Sequence, residues 1–261
     1  MGLIGAPPDA IKPWVARGNG EKAKIGIVLV HGFTSTPSVM QPWARFLNDQ
    51  GYTVRVPLLP GHGSSIAELE QVTWRQWPRE VEENLIVLSE QCEKVFLCGF
   101  SMGGAASLHV ASQYQSKISG LILVNPMIHR KGAWPSAVRF ASMLVKSFGT
   151  SGSDIKRKDV IQWKYDRTPM RAAHQLLLLL ENTRPLLAKI ESPLLLFRSE
   201  IDHTLPASNS AIIFKGIRSP NKTEVILKNS FHVAPLDHDQ DVLFNTSLKF
   251  IEEVCADLGS L

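Results

Sequence analysis

Gly99-Phe100-Ser101-Met102-Gly103-Gly104 follows the apolar run Lys94-Val95-Phe96-Leu97-Cys98 and precedes Ala105-Ala106-Ser107-Leu108-His109-Val110-Ala111. The order is strand, glycine-rich turn, helix. A serine at so sharp a strand-to-helix turn stands clear of the sheet with its hydroxyl exposed. The flanking glycines leave room where a side chain would collide across the bend. This is the geometry of a nucleophile elbow. The same five residues also fit a turn whose serine only caps the next helix. The flanking strand and helix favour the elbow.

Working outward, Ile25-Gly26-Ile27-Val28-Leu29-Val30 is apolar and β-branched without polar alternation. That predicts a strand buried on both faces, as in a parallel sheet. Residues 52–56 read as a second strand. Between them, 38–50 reads as a helix with Val39, Trp43, Phe46 and Leu47 on one side and Gly51 past its end. A helix over 73–91 leads to the elbow strand at 94–98, and the elbow helix is expected to run to about Gln113. A strand at 118–124 closes on Asn125-Pro126. The alternation then stops and resumes with a strand at 193–198, a helix from Ala207, a strand at 223–227 and a helix from Asp239. Such alternation implies an α/β fold, a mainly parallel sheet with helices on both faces. Residues 1–126 and 191–261 are its core. Residues 127–190, with helix-like pieces at 137–148 and 168–181, are an insertion. Open α/β sheets bind ligands at the carboxyl ends of their strands. The insertion is therefore expected to be a lid over a pocket.

The chain has 261 residues, 44% apolar and 20% charged, as suits a soluble α/β domain with a sizeable core. Met1 to Pro8 has no basic region leading into an apolar stretch, so no signal peptide is expected. No uncharged apolar run approaches the ~18 residues of a spanning helix. Cys92, Cys98 and Cys255 are an odd number without metal-like spacing. They read as buried free thiols in a reduced, cytoplasmic setting. The net charge of +4 is unevenly placed: residues 127–190 hold twelve Lys or Arg against four Asp or Glu. That excess fits attraction to anionic lipid or to a negatively charged substrate, and equally a solvated face. No basic helix or aromatic stacking motif accompanies it, so no nucleic-acid partner is expected.

A serine hydroxyl needs a base to take its proton, and the base needs an orienting carboxylate. In elbow-type folds these follow the serine as Asp or Glu, then His. Asp202 lies just past the strand at 193–198, and His232 just past the strand ending near Leu227. Both are expected at the sheet edge that carries Ser101. Glu200 is a rival carboxylate. His203 is a rival histidine, but it adjoins the proposed acid and would point elsewhere. The developing oxyanion needs two donors, expected from the backbone N–H of Met102 and of Phe33, in His31-Gly32-Phe33-Thr34-Ser35. His31 reads as structural support of that loop, and His62, in Pro60-Gly61-His62-Gly63-Ser64, as support for its neighbours. Asp237-His238-Asp239-Gln240-Asp241 is read as capping and favourably charging the start of the last helix, in preference to a metal site. No metal is expected.

These motifs, in this order, resemble the α/β-hydrolase superfamily over nearly the whole chain. Within it the chain is similar to small bacterial carboxylesterases and monoacylglycerol lipases. The resemblance implies a cofactor-free serine hydrolase acting on carboxylic esters of short- to medium-chain acyl groups or on monoacylglycerols. It implies Ser101 as nucleophile, His232 as base and acid, Asp202 as orienter, and Phe33 and Met102 as oxyanion donors. The family's acid loop usually has a glycine where this chain has Ser199. C–C bond hydrolases and thioesterases share the triad, and a non-catalytic ligand receptor on the same fold is a further alternative.

Overall fold

The computed structural model describes residues 3, 5–130, 138, 146–149 and 152–259. Among these, the strands β1 (Trp14–Ala16), β2 (Ile25–Val30), β3 (Thr53–Val56), β4 (Lys94–Phe100) and β5 (Gly120–Val124) belong to one seven-stranded sheet. A small pair, β6 (Ser147–Gly149) and β7 (Arg167–Pro169), follows, and β8 (Leu194–Ser199) and β9 (Lys222–Leu227) complete the large sheet. Its order is β1-β3-β2-β4-β5-β8-β9. All neighbours are parallel except β1, which runs antiparallel to β3. That edge strand lies outside the sequence reading. It is three residues long with an exposed central Val15, so no apolar run announces it.

The two faces of each central strand feed two separate cores. Val28, Val30, Leu97, Leu121, Leu123 and Leu196 pack with α3 (Gln76–Gln91) and α4 (Met102–Ala111). Their alternating neighbours Ile27, Leu29, Phe96, Cys98, Ile122 and Phe197 pack with α1 (Gln41–Asp49) and α7 (Gln240–Gly259). A period of two along each strand thus puts helices on both sides of the sheet. The expected helix over 73–91 forms as α3 but begins only at Gln76, and a short α2 (Ile66–Gln71) that the sequence reading does not include precedes it. The expected strands at 25–30, 94–98, 193–198 and 223–227 all form, with ends shifted by at most two residues.

Register brings the site to one edge. Val30 pairs with Gly99, Phe100 with Val124, Val124 with Phe197, and Ser199 with Leu227. The strands therefore end level, and the loops after β2, β4, β5, β8 and β9 emerge together. The chain passes from β2 to β3 on one side and then to β4 on the other. Ser101 follows β4 at this switch of direction, where open sheets form a crevice.

Between β5 and β8 come the β6–β7 pair, α5 (Met170–Thr183) and a 3-10 turn at Arg184–Lys189. The helix expected over 137–148 falls mostly outside the described residues. Its last two residues, Ser147 and Phe148, lie in strand β6 instead. The helix expected over 168–181 begins at Met170, because Thr168 and Pro169 pair with β6. Its leucine run is a packed face: Leu176, Leu179 and Leu180 join the core that holds Leu108 of α4. The segment is anchored at its start by buried Asn209, at the head of α6 (Ser208–Gly216), whose Oδ1 accepts from Ile128 N at 2.7 Å and His129 N at 2.9 Å.

Candidate active site

Ser101 sits between β4 and α4 with φ +54° and ψ −118°, a conformation L-residues rarely adopt. Bonds on both sides hold it there. Its N–H donates to Val124 O at 3.1 Å, and its carbonyl accepts from Gly104 N and Met127 N, both at 3.0 Å. The glycines are required by contact. A Cβ at Gly99 would lie 2.6 Å from Gly104 Cα, and one at Gly103 would run into the Val30 and His31 carbonyls. The hydroxyl makes no cap bond to α4 and is left facing His232.

His232 Nε2 lies 3.1 Å from Ser101 Oγ, and His232 Nδ1 lies 2.7 Å from Asp202 Oδ2. A carboxylate only accepts, so Nδ1 carries the proton and Nε2 receives the serine O–H. The His232 and Asp202 side chains are 7% and 9% exposed, so the pair is shielded from solvent. The other carboxylate oxygen, Oδ1, accepts from Thr204 N at 2.8 Å and Leu205 N at 2.7 Å. Burial by itself pushes the Asp202 carboxyl up. The hydrogen bond and charge of His232 and the two backbone donors outweigh it and hold the group below its ordinary value. The two rivals go elsewhere. His203 Nδ1 bonds Asp154 Oδ1 at 2.7 Å, and Glu200 is exposed to solvent.

The loop after β2, where one oxyanion donor is expected, lies against the elbow. The Phe33 N–H has no hydrogen-bond acceptor among the described residues. Met102 opens α4, so its N–H has no intrahelical acceptor. Gly32 brings the loop against the elbow, since a Cβ there would lie 3.2 Å from Ser101 Cβ. Two buried histidines shape this loop. His31 Nδ1 pairs with Gly32 O at 2.9 Å while its Nε2 accepts from Leu59 N at 3.1 Å. His62 Nδ1 pairs with Pro60 O at 3.1 Å while its Nε2 accepts from Thr34 N at 3.0 Å. Each ring is thus a neutral bridge between a carbonyl and an N–H. Burial, with His62 nearby, lowers His31 to about 3, and burial lowers His62 to about 4. Thr34, with φ +61°, is held in the left-handed region by the His62 bond.

A cavity of about 430 Å³ opens over Ser101, within the range of small-ligand pockets. Phe33 and His232 line it from the sheet edge, and Phe148, Lys164 and Leu176 from the segment between β5 and β8, with Arg130 near its start. Burial lowers Arg130 and Lys164 from their ordinary values, opposed by the charges of Asp202 and Asp154 respectively.

Several residues that order the site escape sequence reading. Asn125, at φ +42°, donates through Nδ2 to His232 O at 2.7 Å and to Ser199 Oγ at 2.9 Å. The Ser199 hydroxyl donates to Phe231 O at 2.8 Å. Ser199 thus ties the end of β8 to the loop that carries His232. Of the acidic run 237–241, Asp241 lies in the first turn of the last helix as expected, whereas the Asp237 side chain is used elsewhere. Asp237 is fully buried and accepts four backbone N–H bonds, two from residues 156–157 and two from its own connection between β9 and α7. Asn and Asp after strands are too common for sequence to mark these partners.

The model of the Hydrolase_4 family, described as serine aminopeptidase, S33, matches residues 21–239. The thermostable monoacylglycerol lipase of Bacillus sp. (strain H-257) is 38% identical over 230 residues, spanning 88% of this chain and 91% of that protein. A carboxylesterase of Bacillus subtilis (strain 168) is 28% identical over 247 residues, spanning 93% and 97%. A solved structure described under LipS and LipT, two metagenome-derived lipolytic enzymes, superposes with a TM-score of 0.89 at 32% identity, covering 94% of this chain and 98% of that one. The monoacylglycerol lipase of Paleococcus ferrophilus shares the fold, with a TM-score of 0.75 at 17% identity over 94% of this chain and all of that one. The chain belongs to the Hydrolase_4 (serine aminopeptidase, S33) family, within the α/β-hydrolase superfamily.

Proposed function

We propose that the protein is a serine hydrolase that cleaves carboxylic esters of short- to medium-chain acyl groups, or monoacylglycerols, through an acyl-enzyme. The observation that carries this reading is the unbroken hydrogen-bonded path from Ser101 Oγ through His232 to Asp202, at 3.1 and 2.7 Å, on the floor of an accessible cavity. The resemblance to a monoacylglycerol lipase at 38% identity supports the ester class.

In this mechanism Ser101 Oγ attacks the ester carbonyl carbon as His232 Nε2 takes its proton. The carbonyl oxygen becomes an oxyanion held by the N–H groups of Phe33 and Met102. The C–O bond to the alcohol then breaks, and His232 returns its proton to the departing oxygen. Water enters, gives a proton to His232 and attacks the acyl-enzyme. The acid leaves, and Ser101 recovers its proton. Asp202 keeps Nδ1–H bonded throughout and stabilises the transient imidazolium. The segment between β5 and β8, whose Phe148, Lys164 and Leu176 line the cavity, acts as its lid, and the cavity volume suits a short or medium acyl chain. The basic excess of that segment favours approach to anionic lipid, within a Debye length of ~8 Å at physiological salt. The three free cysteines fit a reduced, cytoplasmic setting. Among the described residues no helix is long and apolar enough to cross a membrane.

Hydrolysis of p-nitrophenyl acetate, butyrate and caprylate and of 1-monoacylglycerols, beside an aminoacyl p-nitroanilide, tests the reading. Wild type is expected to turn over the esters and to label with a fluorophosphonate, while Ser101→Ala does neither. Equal ester rates in the two proteins, or turnover of the anilide alone, would refute it.

A further inference from the structure

The loop that carries His232 is gripped by two carboxylates outside the triad. Asp237 accepts four backbone N–H groups: Lys156 at 2.7 Å and Phe231 at 2.9 Å on Oδ2, and Arg157 at 3.0 Å and His238 at 2.9 Å on Oδ1. Asp154, two residues before Lys156, reaches the opposite way. Its Oδ2 accepts from His203 N at 3.0 Å and, at 3.4 Å, from both His232 N and Thr204 Oγ1. Its Oδ1 bonds His203 Nδ1 at 2.7 Å, and its carbonyl accepts from Val233 N at 3.1 Å. Residues 154–157 and 231–237 therefore interlock, each side reaching the other with a carboxylate. His203 directly follows Asp202. One carboxylate thus bridges the two loops whose side chains must meet across 2.7 Å.

We propose that Asp154 is a positioning residue for the hydrolytic reaction. It fixes the spacing between the acid loop and the base loop, so that the His232 ring spans Asp202 and Ser101. Asp154 belongs to the segment between β5 and β8, so that segment is part of the catalytic framework as well as a cover. The shortest bonds of Asp154 go to His203, beside the acid, and its carbonyl secures Val233, beside the base. Losing the carboxylate leaves Val233 held but frees residues 202–204 from that anchor. A displacement of about 1 Å at such a site costs up to roughly 100-fold in rate, because the proton must transfer between atoms already in line. The inference rests on the ester-hydrolase reading above.

The test compares wild type, Ser101→Ala, Asp154→Ala and Asp154→Asn. It measures kcat and KM for p-nitrophenyl butyrate, the rate of fluorophosphonate labelling, and the melting temperature. Asp154→Ala is expected to lower kcat by about 10- to 100-fold, with KM changed by less than about threefold. Labelling should slow in parallel. Asp154→Asn keeps one acceptor oxygen, so its kcat should fall between those of wild type and Asp154→Ala. A folded Asp154→Ala with kcat within threefold of wild type would overturn the proposal. So would a loss confined to KM, which would make Asp154 a substrate contact. If Asp154→Ala does not fold, the near-isosteric Asp154→Asn decides alone: wild-type kcat overturns the proposal, and a fall in kcat at constant KM supports it. A wild type that neither labels nor hydrolyses esters sinks the functional reading and the clamp with it.

Discussion

Two Asp–His pairs stand side by side in this protein, each with an Nδ1–carboxylate distance of 2.7 Å. In the inner pair, Asp202 and His232 are 9% and 7% exposed and the free imidazole nitrogen reaches Ser101 Oγ. In the outer pair, Asp154 is 14% exposed while His203 is 59% exposed. In the proposed mechanism the inner carboxylate orients the histidine that serves Ser101. The outer one holds backbone and ties a long excursion to the sheet edge. Pairing alone therefore does not make a catalytic dyad. What distinguishes the inner pair is burial of both members and a nucleophile in line with the second nitrogen. His203, next to Asp202 in sequence, is excluded by its direction and its exposure.

Breaking the inner pair should have the largest effect. Removing the nucleophile with Ser101→Ala should lower kcat by about 10⁶-fold, measured by ester hydrolysis. Asp202→Asn should lower kcat by about 10⁴-fold, because an amide NH₂ facing Nδ1 favours the wrong imidazole tautomer. If Asp202→Asn were no more harmful than Asp154→Asn, the distinction between the pairs would collapse.

The buried histidines without carboxylates give the next effect. His31 and His62 stay neutral in the fold, at about 3 and about 4 against an ordinary 6.5. The unfolded chain therefore binds protons that the native state refuses. Stability is full above pH ~6.5 and falls as pH drops toward the folded values. Each ring contributes up to about 1.4 kcal/mol per pH unit in that window. Asp202, held below its ordinary value, acts in the same direction at lower pH: its share is present above the unfolded carboxylate value and lost as pH falls through the folded one. Melting temperature should therefore drop steeply from pH 7 to pH 5. His62→Gln, less stable at pH 7, should show a flatter drop.

The smallest effect belongs to the exposed member of the outer pair. His203→Ala should cost about 1 kcal/mol of stability or less, because a bond made by so exposed a side chain gains little over water. Denaturant titration measures it. A loss of several kcal/mol would mean that the outer pair is stabilised as the inner one is.

The strand runs, the elbow and the order Ser, Asp, His are written in the sequence, because each depends on local chemistry. An apolar β-branched run predicts a buried strand wherever it falls. A serine between glycines predicts a tight turn, whose cost only those glycines remove. Ser101, Asp202 and His232 could be named because each follows such a run. Asn125, Ser199, Asp154 and Asp237 could not. Their roles come from partners tens of residues away, and a polar residue in a loop looks the same whether it meets water or a distant backbone N–H. The leucines of α5 were visible as a run, but what they pack against was not. Local propensity and periodicity thus determined the elements and the reacting groups. Only the level ends of parallel strands, and the loops locked together above them, decided which groups meet.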